Sequence, residues 1–155
     1  MQSLDLRVVP PRRWSEELGG IRWLPRLIDK TRAALAGTLG TYLYGQSPVD
    51  RDFLRALNMR YREFTRIVEE SPDDGAVLAA LRARGSLEAV QQFSETLPAK
   101  RGWFLWVLDV DDGYAGKYWQ IVKAPVNGAS ALFTGFIKSR WPSRAIELPS
   151  KTELP

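Results

Sequence analysis

A predicted helix near residue 30 carries charged residues beside residues with almost no side chain, a combination that could hold a ligand or a partner. The candidates share the back face of that helix or follow it in a loop: Arg26, Asp29, Lys30, Ala33, Gly37 and Tyr42. Residues three and four apart meet on a helix surface, so the charges and the small residues come together. The expected chemistry is binding of an anion or carboxylate, or docking of a protein.

The alternative for this face is that it is merely solvated. Arg26 and Asp29 would then form an ion pair worth roughly 0.3 kcal/mol. If the face is functional instead, we expect alanine at Arg26 or Asp29 to leave folding nearly intact but to abolish a cellular interaction.

A second candidate is a run of carboxylates, Asp109, Asp111 and Asp112, just before Gly113. Hard cations such as Mg²⁺ and Ca²⁺ bind oxygen ligands of this kind. The spacing departs from a calcium-binding loop, because the glycine comes one position early and Gln120 stands where the closing glutamate belongs. The sequence therefore favours an acidic turn at a helix end over a metal site.

Several chemistries are excluded by composition, since the chain has no cysteine and no histidine. Cysteine–histidine zinc sites, imidazole bases and serine–histidine–aspartate triads all require one of these residues. No glycine-rich nucleotide-binding motif is present. The sequence predicts no catalytic residue and no cofactor, and an enzyme is the less favoured interpretation.

Tryptophan is unusually frequent, with six in 155 residues. The candidates for an interface lie in the C-terminal third: Trp103, Trp106, Trp119 and Trp141. Tryptophans pack in cores, anchor protein interfaces, or stack on single-stranded nucleic acid when cations lie beside them. The net charge of +4 is modest, which makes nucleic acid the weaker interpretation.

Hydrophobic spacing and helix boundary signals predict a mainly α-helical bundle in one domain. The main helix is expected to begin at Pro25 and end before Gly37, and a helical turn from Ser15 to stop at two glycines. Signals for further helix starts are Ser47, Asn58, Ser71 and Ser86. Residues 102–114 favour a buried helix, with a short β-hairpin near 103–123 as the alternative.

The predicted organisation has three parts. Residues 1–14 form an extended lead-in, residues 15–113 the helical domain, and residues 114–155 an aromatic-rich C-terminal extension. The extension is expected to hold a loop at 124–128, an amphipathic helix at about 129–140 and a Pro-rich tail. No apolar run reaches transmembrane length, so no membrane-spanning helix is expected. The absence of cysteine fits a cytoplasmic location. The amphipathic helix could lie on an anionic membrane surface, although two basic residues within it give weak support.

The stretch from Leu18 to Tyr44 carries a family resemblance. Its segments are Leu24-Pro25-Arg26, Asp29-Lys30-x-Arg32-Ala33 and Gly37-Thr38-Leu39-Gly40-x-Tyr42. With looser matches further on, it resembles the bacterial family catalogued as domain of unknown function 5069, over about residues 5–113. The resemblance implies a small, mostly helical, bacterial cytosolic protein, and it implies no activity.

Three functions remain as expectations. The first is a non-enzymatic protein-interaction module, based on the aromatic-rich extension and the missing catalytic groups. The second is a small-ligand or anion-binding domain, or an enzyme, that uses Arg26, Asp29 and Lys30 and would show a concave pocket over that face. Nucleic-acid or peripheral membrane-surface binding is weaker.

Overall fold

The structure is a computed structural model that describes residues 4–85, 87–116 and 120–140. Within these ranges it has a two-stranded hairpin and six helices, which confirms the mainly α-helical fold. The elements are β1 (Glu17–Leu18), β2 (Ile21–Arg22), α1 (Leu24–Leu35), α2 (Pro48–Ala56), α3 (Tyr61–Glu70), α4 (Asp74–Arg84), α5 (Glu88–Asp111) and α6 (Gln120–Arg140).

Helix α1 lies at the centre, and its boundaries follow the sequence signals. Pro25 occupies its first turn, where a missing N–H is tolerated. At the other end Gly37 adopts a left-handed φ of 70°. The N–H of Gly37 donates to the carbonyl of Ala34 at 3.2 Å, and that of Thr38 to Ala33 at 2.8 Å. These two bonds form the glycine-ended cap that closes many helices.

The helical turn expected from Ser15 is wrong, because this segment forms the hairpin. Strand β1 pairs antiparallel with β2 across Gly19 and Gly20, whose φ values are 61° and 80°. Two left-handed residues in succession make the tight turn that matches strand twist. Ile21 is fully buried, and the N–H of Arg22 donates to Ser94 Oγ at 3.0 Å. Tertiary burial therefore outweighs the local helix-start signal.

Helices α3 and α4 begin differently. Asn58 does not cap α3 as expected, because it adopts a left-handed φ of 49° and the helix starts three residues later. The Glu63 side chain instead accepts from the N–H of Arg60 at 2.8 Å. Asp73 caps α4 by accepting from the N–H of Ala76 at 2.8 Å. The predicted start at Ser86 lies outside the described residues.

Helix α5 spans 24 residues and joins two predicted helices across a kink. Arg101 has non-helical angles (φ −133°, ψ 19°), three residues after Pro98. Proline removes a backbone donor and commonly bends a helix. Residues 102–111 are helical as predicted, but the helix is not buried all round, because Trp103 and Trp106 are exposed. The alternative hairpin near 103–123 is not formed at 103–111 or 120–123.

Helix α6 begins earlier than predicted. It continues through residues 124–128, so the loop expected there is wrong. Proline, asparagine and glycine lower helix propensity, but propensity is a weak prior where a helix packs on a neighbour, as α6 does on α5. Residues 141–155, including the Pro-rich tail, lie outside the described residues.

The core lies between α1 and the elements around it. Helix α1 packs on α3 and on the hairpin, α2 packs on α5, and α3 packs on α4. The largest buried side chains are Trp23, Phe53, Phe64, Ile21, Leu24, Leu27, Ile28 and Leu54. Residues 4–14, the N-terminal segment, contain no helix or strand. No helix in the described ranges combines the length and apolarity that crossing a bilayer requires.

Candidate functional site

The charged face of α1 is buried. Arg26, Asp29 and Lys30 are 2%, 4% and 3% exposed, and Ala33 is fully buried. The expectation of a solvated face is therefore wrong. Helical periodicity counts only neighbours on the same helix, whereas here the N-terminal segment, α2 and the end of α5 supply opposite charges from outside it.

Lys30 pairs with α2. Its Nζ lies 2.7 Å from Asp50 Oδ1 and 2.5 Å from Oδ2, and it also donates to the carbonyl of Leu43 at 3.2 Å. Trp23 Nε1 donates to the same carboxylate at 2.9 Å. Burial lowers the pKa of Lys30, and the Asp50 charge opposes this shift. Such a pair holds two elements together, because separating it leaves a buried charge without compensation.

Arg26 pairs with the end of α5. Its Nη1 lies 2.7 Å from Asp112 Oδ2, and the Tyr42 hydroxyl donates to Oδ1 of that carboxylate at 2.8 Å. The guanidinium carbon lies 5.7 Å from the ring centroids of both Trp23 and Tyr42, within cation–π range. Burial, followed by the Asp112 charge, raises the pKa of Tyr42, so its hydroxyl remains protonated.

Trp23 joins the two ion pairs. Its ring centroid lies 5.5 Å from Lys30 Nζ. Lys30 is one helical turn after Arg26, so both cations reach the same indole ring. Its backbone is left-handed (φ 70°), which is unfavourable for a bulky side chain and persists only where surrounding contacts impose it. Here the N–H donates to the carbonyl of Trp14 at 3.1 Å and the indole is held by Asp50.

Asp29 pairs with the N-terminal segment. Arg12 Nη2 lies 2.7 Å from Asp29 Oδ1, and Arg12 Nη1 lies 2.6 Å from Asp74 Oδ2. Arg32 reaches the other oxygen of Asp74 at 2.5 Å. Burial acts to raise the pKa of Asp74, but the hydrogen bonds from both arginines outweigh it and leave the pKa below its usual value.

The predicted carboxylate run is largely engaged by arginines. Arg13 donates to the two oxygens of Asp109 at 3.0 and 2.7 Å, and Trp14 Nε1 adds a bond at 3.1 Å. Asp112 belongs to the Arg26 pair. In the part of the chain that the structure describes, no three acidic, histidine or cysteine side chains gather as around a metal ion.

A cleft of about 840 Å³ opens onto Arg26, Lys30 and Tyr42. Its walls come from the N-terminal segment, the loop before α2, the second half of α5, and α6. Most wall side chains are apolar, among them Val8, Val9, Trp103, Phe104, Val107 and Phe133. Concave sites with apolar walls and a few convergent polar groups are typical of small-molecule binding.

The structure separates the residues that the sequence grouped. Arg26, Lys30 and Tyr42 line the cleft, while Asp29 lines a smaller cavity of about 460 Å³ with Arg12 and Asp74. Gly37 is exposed at the end of α1, outside the cleft lining.

The structure describes two of the four predicted interface tryptophans. Trp103 lines the cleft and is largely exposed, and Trp106 is exposed outside the lining. Trp119 and Trp141 lie outside the described residues. Sequence reasoning missed Asp50, because an acid in the first turn of a helix is ordinarily explained by the helix dipole.

Fold and site together define a helical domain whose central helix carries a buried ionic network beneath an apolar-walled cleft. Residues 8–104 match the family described as a domain of unknown function, DUF5069, and the chain belongs to this family. The match ends within α5, so Asp109, Asp111, Asp112 and all of α6 lie beyond it. No curated protein matches the chain.

Proposed function

We propose that this chain is a non-enzymatic binding domain whose cleft receives a small amphipathic organic molecule. The observation that carries the proposal is the cleft itself, about 840 Å³ in volume, with apolar walls and polar groups gathered at Arg26, Tyr42 and Asp112. The apolar part of the ligand would contact α5 and α6, and its polar group would reach α1.

The charge balance favours a neutral or zwitterionic polar group. Arg26 and Lys30 are already compensated by Asp112 and Asp50, and Asp111 adds a further carboxylate to the lining. The third basic side chain of the lining, Arg7, pairs with Asp5, so a free anion would meet no excess positive charge. Burying an uncompensated charge is costly. The anion version of the ligand hypothesis is therefore the less favoured one.

The same contacts favour binding over catalysis. Arginine is always protonated in proteins, the raised pKa of Tyr42 keeps its hydroxyl protonated, and Lys30 is held in an ion pair. A general base must be free to accept a proton near neutral pH, and none of these three groups meets that condition.

The test uses the uncharged fluorescent probe N-phenyl-1-naphthylamine. Gly135 lines the cleft, and a Cβ added there meets no atom within 4 Å, so Gly135→Trp places a ring in open cleft space. Gly128→Trp is the matched control, since its Cβ is equally unobstructed and it lies outside the lining. We expect Gly135→Trp to weaken probe binding about tenfold, or 1.4 kcal/mol, and the control to bind like wild type. Equal weakening in both variants, or no binding to wild type, would refute the proposal.

A second candidate is docking of a partner protein on the exposed aromatics of α5. Trp103 and Trp106 are both exposed, and tryptophan is prominent among interface hot spots. If this is the function, Trp106→Ser removes a partner that co-purifies with wild type yet leaves probe binding unchanged, because Trp106 lies outside the cleft lining. Co-purification that persists in Trp106→Ser argues against this candidate.

A further inference from the structure

Large apolar side chains are exposed in the wall of the cleft, at Val8 and Trp103, and outside its lining on α6, at Leu132 and Phe136. Val8 is 79% exposed, Trp103 73%, Leu132 77% and Phe136 63%. Leu132 and Phe136 are four residues apart on α6, so they lie on one side of the helix. Apolar side chains grouped on a surface in this way mark a contact with another apolar phase or molecule.

The charges of α6, and of the sequence just before it, are of one sign. From Gly113 to Ile146 the sequence contains no aspartate or glutamate. Helix α6, 21 residues long, includes Lys123, Lys138 and Arg140. The shorter helix predicted from the sequence held only the last two. On α5, Lys100 comes shortly before Trp103, while the neighbouring Arg101 pairs with Asp52 at 3.1 Å.

We propose that this surface adsorbs to an anionic lipid membrane, with Trp103, Leu132 and Phe136 entering the interface. An amphipathic helix with basic and apolar residues and no acids binds anionic bilayers through apolar burial and charge attraction. The contact is peripheral, because no helix in the described ranges could span a bilayer. This surface goes beyond the cleft and does not depend on a cleft ligand.

A lipid surface fits these observations better than a protein partner does. The exposed apolar side chains belong to the N-terminal segment, α5 and α6, and every charged residue in the sequence of α6 is basic. An anionic bilayer offers an apolar layer beneath a negatively charged surface, which complements both features. A second copy of this chain would bring the same basic charges against each other.

The experiment measures sedimentation of the full chain with vesicles of phosphatidylcholine, alone or mixed with phosphatidylglycerol. We expect binding to the mixed vesicles, weaker binding in high salt, and little binding to phosphatidylcholine alone. Leu132→Asp should weaken binding about tenfold, because it removes a leucine that enters the membrane interface and adds a negative charge. Ser139→Asp adds the same charge on α6 without removing an apolar group, and its loss should be smaller.

Three results would overturn the membrane proposal. These are no binding to the mixed vesicles, equal losses in Leu132→Asp and Ser139→Asp, or a wild-type dimer that Leu132→Asp converts to a monomer without vesicle binding. Probe binding in the cleft shows whether the membrane proposal fails independently of the cleft-binding proposal. Leu132 lies outside the cleft lining, so Leu132→Asp should bind N-phenyl-1-naphthylamine like wild type even where vesicle binding is lost.

Discussion

Individual residues of α1 contribute more to holding the fold together than their sequence pattern indicates. The pattern singles out Arg26, Asp29 and Lys30, but it places them on a helix face that is either solvated or open to a ligand or partner. Each is buried against a partner from another element, because counter-charges far along the chain complete its environment. Nothing local in the sequence indicates which acid pairs with which base, so the network could not be predicted.

Burial reverses the expected tolerance of these positions to substitution. Lys30→Met leaves Asp50 buried without its counter-charge, and we expect the free energy of unfolding to fall by about 3–5 kcal/mol. Urea denaturation followed by tryptophan fluorescence measures this. Lys30→Met/Asp50→Asn should recover part of the loss, because it removes the unpaired charge. As a control, Arg55→Met breaks the exposed pair with Asp52 and should change stability by no more than about 0.5 kcal/mol. A similar small effect of Lys30→Met would contradict the buried-pair assignment.

At the scale of elements, helices with strong boundary signals are predictable and turns defined by tertiary contacts are not. Pro25 and Gly37 mark the ends of α1, and α4 is capped by Asp73, two residues after the predicted start signal at Ser71. The hairpin is missed because Ser15 and the glycines also suit a helical turn, and only the burial of Ile21 decides between them. The first part of α6 is not predicted, because Pro125 and Gly128 are residues that commonly interrupt helices.

The hairpin turn gives a prediction at this scale. Gly20 has open space around it but a φ of 80°, so Gly20→Ala should destabilise the protein by about 1 kcal/mol through backbone strain alone. Gly135 is the matched control, because a Cβ added there also meets open space but the residue lies in helix α6. Gly135→Ala should therefore stabilise α6 by about 0.5 kcal/mol. Thermal unfolding by circular dichroism compares the two. If both substitutions change the stability in the same direction, the left-handed φ of Gly20 is not what determines the effect of alanine there.

At the scale of the whole molecule, stability should depend on pH through the contacts that fix the N-terminal segment. The hydrogen bonds from Arg12 and Arg32 hold the pKa of Asp74 in the folded state below its ordinary value. A carboxyl of this kind stabilises the fold fully above its unfolded pKa, and the contribution is lost as pH falls through the folded value. Acid should therefore weaken the attachment of Arg12 and Arg32 to α4.

Urea denaturation between pH 6 and pH 2 measures this contribution. Asp74→Asn should be less stable than wild type at pH 6, and the difference should shrink as the pH falls below about 4. Asp73→Asn serves as the control, since asparagine also caps helices and the Asp74 pairs remain. A constant difference between wild type and Asp74→Asn across this range would contradict the assignment.

The ion pairs of α1 also have an order in time, because a ribosome makes the chain from its N-terminus. Asp50 follows Lys30 by 20 residues, whereas Asp112 follows Arg26 by 86. When α1, α2 and the hairpin have been synthesised, the Lys30 pair can form, but Arg26 still lacks its partner. An arginine enclosed without a counter-charge is unfavourable, so the N-terminal half should stay loosely packed until the last turn of α5 leaves the exit tunnel.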